Sequence, residues 1–258
     1  MTGVSQDDFL GGAIRLYQPE EGYRIATDTV FLAASMTYQE NDRILDMGAG
    51  TGGILSCLLS RTEGLVSGTE GQAATNIFHG IELQPELLAL ARRNARENNF
   101  ADRIEYFAGD IASPPPECEP NSYHHVVSNP PYLKKNGATA SPYETKAVAH
   151  MDSHIELGRW VHLCLRMLKP LGHLTLVHRA DRLDDIIAAL HGRAGDIIIF
   201  PLWSTRDKDA RRVIIQARKG GKGIIALKPG LIVHTSDGTF SPEAEAILRH
   251  GEALDITT

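Results

Sequence analysis

The chain has 258 residues, 42% hydrophobic and 22% charged, with a net charge of −6, the makeup of an ordinary soluble protein with one large α/β domain and appendages. No stretch approaches the roughly 20 apolar residues of a membrane helix, and residues 1–10 carry Asp7 and Asp8 rather than a basic segment followed by an apolar one, so a cytoplasmic protein is expected. Cys57, Cys118 and Cys164 form no CxxC pair, so neither a disulfide framework nor a cysteine zinc site is indicated, and the acidity argues against a protein that coats nucleic acid.

Residues 11–27, containing Tyr17-Gln18-Pro19 and Gly22-Tyr23-Arg24, read as a short β-hairpin, and Asp28 is placed to cap an apolar helix over 29–36. This extension over 1–40 would pack on a catalytic domain over 41–258 and close over its site. Arg43-Ile44-Leu45-Asp46-Met47 reads as a strand, and Ile54, Leu55, Leu58 and Leu59 give a helical stripe over 53–60. Residues 61–76, with Gly64, Gly68 and Gly71, read as an inserted loop before a strand over 77–83. Pro85 stands where a helix should begin, and the stripe Leu87, Leu88, Ala91 and Ala95 runs to about Asn98. Strands are expected over 104–107, 123–128 and 172–178, with helices over 155–168 and 181–190. Residues 197–203 and 212–217 are joined by a polar connection too short for a helical crossover, which predicts an antiparallel pair; 231–234 is a candidate edge strand. Strands alternating with helices predict an α/β fold, a doubly wound, mostly parallel, seven-stranded Rossmann-like sheet with an antiparallel final strand, its ligands beyond the carboxyl ends of the strands.

Two segments carry chemistry. Asp46-Met47-Gly48-Ala49-Gly50-Thr51-Gly52-Gly53 follows a strand and opens a helix, the context in which a glycine-rich turn lets backbone approach a nucleotide. Gly48, Gly50 and Gly53 satisfy G-x-G-x-x-G, which by itself fits a nicotinamide dehydrogenase equally well. Asp46 points elsewhere, because it stands where it would meet a cationic amino-acid group. Asp46, Glu82 and Asp110 fall at the ends of three successive expected strands. Three carboxylates would repel a diphosphate but suit a ligand with an ammonium group, a ribose diol and an adenine amine. Each acid taken alone also reads as a helix cap or loop carboxylate.

Asn129-Pro130-Pro131-Tyr132 follows the apolar strand end Val126-Val127-Ser128. The Asn129 amide and the Pro130 carbonyl accept hydrogen bonds from an exocyclic amine, and the Tyr132 ring offers a face to a planar base. Two prolines hold these acceptors in place and bring no N–H of their own.

Together these motifs resemble the Class I S-adenosylmethionine-dependent methyltransferases that alkylate a planar nitrogen, over about residues 44–203. The N-terminal Tyr17-Gln18-Pro19, Gly22-Tyr23-Arg24 and 28–33 further resemble the bacterial enzymes that methylate N6 of the adenine beside the anticodon of valine tRNA. The resemblance implies that Asp46, Gly48, Ala49, Gly50 and Gly52 pass the methionine part of the cofactor. Glu82, beside Leu83, would take both ribose hydroxyls and Asp110, beside Ile111, the adenine amine. It implies an acceptor base flipped against Tyr132, donating its amino hydrogens to Asn129 and to the Pro130 carbonyl, with Asn129 also bordering the cofactor. Tyr23 and Asp28 would be N-terminal site residues. Lys134-Lys135 and Arg206, Lys208, Arg211 and Arg212, the start of a basic run to Lys222, are candidate RNA contacts, or else charges that protect a strand edge.

Other planar amines stay open: DNA adenine or cytosine, guanine N2 in ribosomal RNA, or a protein glutamine. Outside that class, a nicotinamide oxidoreductase or a catalytically silent subunit would share the fold. No metal is expected; His150 and His154 stand four apart but lack H-E-x-x-H and further ligands. Trp160 and Trp203 read as core.

Overall fold

A computed structural model describes residues 3–66, 76–132 and 155–258. The chain opens with an antiparallel hairpin, β1 (Val4–Phe9) and β2 (Ile14–Pro19), which corrects the hairpin expected over 11–27. The polar run Ser5-Gln6-Asp7-Asp8 hid the first strand, since β1 is exposed on alternate residues and carries no apolar stripe. The Tyr17-Gln18-Pro19 and Gly22-Tyr23-Arg24 motifs tie the following segment to it. Gln18, buried, donates to Asp7 Oδ2 at 2.9 Å and accepts from Ile25 N–H at 2.7 Å. Arg24 meets Asp7 Oδ2 at 2.9 Å.

Helix α1 (Thr27–Ala34) starts ahead of the expected Thr29. Its N-cap is Ala26, and Asp28 lies inside the first turn rather than capping it. Then come β3 (Arg43–Met47), α2 (Gly53–Val66), β4 (Ile77–Glu82), α3 (Pro85–Glu97), β5 (Ile104–Ala108) and β6 (Tyr123–Ser128). Helix α2 runs through 61–66, which the glycines suggested was loop; a single helical glycine costs only about 1 kcal/mol relative to alanine. Of the expected insertion, 67–75 lies outside the described residues.

The second half contains α4 (Leu157–Met167), β7 (Leu168–Arg179), α5 (Leu183–Leu190), β8 (Ala194–Trp203), β9 (Arg212–Lys219), two short strands β10 (Ala226–Leu227) and β11 (Leu231–Ile232), and α6 (Pro242–His250). Helix α6 was not anticipated, although its signals are present. Ser241 Oγ accepts from Ala244 N–H at 3.1 Å, Pro242 follows it, and Gly251 ends the helix at φ 69°.

Strands β1 and β2 form a sheet of their own, and the strands from β3 onward form a second in the order β10-β8-β9-β7-β6-β3-β4-β5, with β11 also on β8. Among the described residues this sheet has nine strands against the seven expected, the additions being the two-residue β10 and β11, the latter the edge strand expected over 231–234. Strand β9 runs antiparallel to both β7 and β8, as the short polar connection predicted. Alternate residues of the central strands feed two cores: Ile44, Val127, Val177 and Ile214 pack with α1, α2, α3, α6 and the hairpin, whereas Leu45, Val126, Leu176 and Ile215 pack with α4 and α5. That division is the doubly wound arrangement, and it sets the carboxyl ends of β3, β4, β5, β6 and β7 along one edge. Asn94 of α3 links three parts at that edge: its Oδ1 accepts from Tyr17 N–H at 2.7 Å and its Nδ2 donates to Tyr17 O at 3.0 Å and Thr51 O at 2.9 Å. Among the described residues no helix is long and apolar enough to cross a membrane.

Candidate active site

A cavity of about 270 Å³ opens at this edge. Its glycine-loop side begins where β3 stops. Gly48 and Ala49 N–H both donate to Ile81 O, at 3.0 and 2.9 Å, so the turn is fastened to β4. Gly50 has φ +56°, and a Cβ there would stand 2.7 Å from Tyr23 Cε1. Any larger residue would strain the turn and strike the ring.

Gly50 N–H donates to Glu82 Oε2 at 2.7 Å, and Gln84 N–H to Oε1 at 2.8 Å. Burial pushes the Glu82 carboxyl up, and these backbone donors pull it back. Glu82 lines the cavity with its carboxylate held by backbone donors, an acceptor group of the kind a vicinal diol can donate to. Asp110 is exposed; its Oδ1 accepts from Ala112 N–H at 2.8 Å and it also lines the cavity, next to Ile111.

Asp46 is fully buried in β3, and neither carboxylate oxygen has a hydrogen-bond partner among the described residues. Burial, and then the neighbouring Glu82 charge, holds its carboxyl well above the usual range. A cation nearby would relieve this cost.

The other side is built from the end of β6. Ser128 Oγ donates to Met47 O at 2.6 Å and accepts from Trp160 Nε1 at 3.0 Å, joining the tips of β3 and β6 to α4. Asn129, Pro130, Pro131 and Tyr132 follow and all four line the cavity. The Tyr132 ring meets His178 edge to face at 5.0 Å between centroids, and Arg212 Cζ stands 4.5 Å from its centroid. Burial, and then Asp28, raises the Tyr132 phenol. His178 is buried with both ring nitrogens unpartnered among the described residues, and burial pushes it down to about 4, so it is neutral at pH 7.

One cavity thus gathers Tyr23, Asp28, Gly48, Gly50, Glu82, Leu83, Asp110, Ile111 and the tetrapeptide. Asp46, Ala49 and Gly52 are not in its wall. Gly52 serves packing instead, since a Cβ there would come within 2.5 Å of Tyr106 Oη and 3.3 Å of Ala91 Cβ. Arg212 does not join the exposed Arg206, Lys208 and Arg211: it is turned inward, its Nε 2.9 Å from Asp28 Oδ2. The basic run is also divided. Strand β9 spans eight residues, about 27 Å, so Arg206, Lys208 and Arg211 lie near the cavity edge and Arg218, Lys219 and Lys222 at the opposite one. Lys134, Lys135, His150 and His154 lie outside the described residues. Among the described residues no group of three or more potential ligands forms a metal site.

Sequence reasoning missed Gln84, Leu87 and Ile155 in the wall, and it read Trp160 as core alone. Trp160 is both. It is 5% exposed, and a Cβ on Gly48 would lie 2.9 Å from its ring, which is the signal that pairs the two.

The family model described as N-6 DNA Methylase matches residues 17–184. The chain is 25% identical over 224 residues to a tRNA1(Val) (adenine(37)-N6)-methyltransferase of Aeromonas salmonicida, covering 84% of this chain and 85% of the relative. To the protein of the same name from Porphyromonas gingivalis it is 29% identical over 231 residues, 85% of each. Among solved structures it resembles one titled a predicted O-methyltransferase from Agrobacterium tumefaciens, with TM-score 0.69 and 21% identity over 90% of this chain and 100% of that one. It also resembles a tRNA (m1A58) methyltransferase from Aquifex aeolicus, with TM-score 0.54 and 11% identity over 80% and 73%. At these identities the structures speak for the fold alone, the doubly wound sheet described above.

Proposed function

The chain belongs to the N-6 DNA Methylase family, and from that membership we propose that it transfers a methyl group from S-adenosylmethionine to N6 of an adenine in tRNA, in the cytoplasm. The carrying observation is the shared wall: Gly48, Gly50, Glu82 and Asp110 border the same cavity as Asn129, Pro130 and Tyr132. The activity named for the two relatives supports tRNA adenine as the acceptor.

The residues present fit the cofactor. Glu82 offers both oxygens to a ribose diol, Asp110 Oδ2 suits an adenine amine, and Leu83, Leu87 and Ile111 form apolar walls beside them. Gly48 and Gly50 leave room for the amino-acid part, and the unpartnered Asp46 carboxylate behind the loop favours a cation there. S-adenosylmethionine, when bound, supplies a methyl group on a positively charged sulfur.

The chain's own residues orient the acceptor. Asn129 Oδ1 and Pro130 O each accept one hydrogen of the incoming amine, which directs the nitrogen lone pair away from the ring plane, and Tyr132 stacks on the base. A neutral amide and a peptide carbonyl do not remove a proton, so the amine's surplus proton leaves to solvent after transfer. Positioning and electrostatics supply the rate enhancement.

The test is incubation of the whole chain with methyl-labelled S-adenosylmethionine and bulk tRNA, DNA or protein, then mass spectrometry of the digests. Label in N6-methyladenosine from tRNA is the expected result; label in DNA or glutamine with none in tRNA overturns the tRNA reading. Calorimetric binding of NAD in place of S-adenosylhomocysteine would remove the cofactor assignment.

A further inference from the structure

The first turn of α1 touches both ends of the 129–132 tetrapeptide. Asn129 Nδ2 stands 3.4 Å from Thr29 Oγ1, and Tyr132 Oη stands 3.4 Å from Asp28 Oδ2. Both contacts are long, yet each meets a group that is fixed from elsewhere. Thr29 is 1% exposed. Asp28 is held by Arg212 of β9, and the same guanidinium covers the Tyr132 ring.

An amide has one donor end and one acceptor end. With Nδ2 turned to Thr29, Oδ1 is the end left for the acceptor; the reversed amide would set donors against an amine that itself donates. The guanidinium 4.5 Å from the ring centroid and the His178 imidazole edge to face with it both hold the plane of Tyr132, and the cation–π contact adds to the Arg212–Asp28 pair. Arginine suits this place because its planar fork can stack and pair at once.

We propose that Thr29, Asp28 and Arg212 are positioning residues for methyl transfer: Thr29 anchors the Asn129 amide through Nδ2 and so leaves Oδ1 to the acceptor, and the Arg212–Asp28 pair fixes the plane of Tyr132. The inference rests on the reading of 129–132 as the acceptor site. It assigns Arg212, expected from sequence to meet RNA, to the reaction itself.

Thr29→Val removes the hydroxyl at nearly constant volume, and Arg212→Lys keeps the charge without the planar group. Each should lower kcat by about 10- to 100-fold, the scale of a small misplacement of reacting groups, with S-adenosylhomocysteine affinity within about twofold of wild type. Thr29→Ser should restore turnover. Unchanged kcat in both variants, or a Thr29→Val loss that Thr29→Ser does not restore, overturns the proposal. A readout without substrate separates it from the functional reading: the 13C ring resonance of Tyr132, assigned through Tyr132→Phe, should shift in Arg212→Lys while the melting temperature stays close to wild type. An unmoved resonance sinks the clamp even if tRNA is methylated, and a shifted one upholds it even if the acceptor proves to be another amine.

Discussion

The two sides of the cavity are assembled over very different stretches of chain. The glycine-loop side comes from consecutive strand ends, β3, β4 and β5, each followed directly by its own turn. The acceptor side depends on contacts between residues 100, 104 and 184 apart in sequence. On the proposed reading the cofactor side is therefore built from local motifs, whereas the acceptor side forms only once α1 and β9 have docked on residues 129–132. Cofactor binding and methyl transfer should then fail separately.

Asn129→Ala should break this comparison most visibly. Removing the amide acceptor should lower single-turnover methyl transfer by roughly 10³-fold, in line with the loss of a preorganised hydrogen-bonding group at a reacting centre, as measured with saturating cofactor. Next comes Gly50→Ala. Its new Cβ would meet the Tyr23 ring at 2.7 Å on a backbone at φ +56°, a strain of about 1–2 kcal/mol, so cofactor affinity should drop about tenfold or more. The tetrapeptide should be undisturbed.

Asp46→Asn sharpens the comparison by pH. The Asp46 carboxyl is raised by burial, so its contribution to stability is present below the ordinary carboxylate range and is lost as pH rises toward its folded-state value. Asparagine takes no charge. The cofactor-free variant should melt above wild type at pH 8, by about 2–4 °C for each kcal/mol recovered, and the gap should close toward pH 4. Equal gaps at both pH values would show that Asp46 is not carrying a penalised charge.

The smallest effect concerns the exposed basic residues. Alanine at Arg206, Lys208 and Arg211 should weaken tRNA binding a few-fold and flatten its salt dependence, by about 0.7 to 0.9 in log–log slope for each phosphate no longer neutralised. Alanine at Arg218 and Lys222, at the other sheet edge, should leave that slope unchanged. A salt titration of binding distinguishes them.

What the sequence disclosed follows the same division. That the glycine loop, Glu82, Asp110 and residues 129–132 meet at one sheet edge was legible because each sits at or just past a strand end marked by an apolar run and a turn residue; their roles are the reading proposed above. The antiparallel β9 was legible from the length of its connection. Strand β1 was not, because the four residues between Val4 and Phe9 are polar on both faces, with no apolar face to reveal a period. Arg212 looked like one more surface cation, since nothing in the local sequence says that its partner is Asp28. Trp160 looked like core because burial and cavity wall are compatible in a large ring; only the missing Cβ of Gly48 discloses the second role. Asp46 was legible as an acid at the glycine loop, but its burial behind the loop emerges only from the sheet, where its neighbours in register are Gly80 and Val127.

The central claim, that one cavity joins two separable sides, is tested most directly by calorimetric titration of Asn129→Ala and Gly50→Ala with S-adenosylhomocysteine, side by side. The account predicts that Asn129→Ala binds within about threefold of wild type while Gly50→Ala loses about tenfold or more. Equal losses in the two variants, or a loss confined to Asn129→Ala, would contradict it.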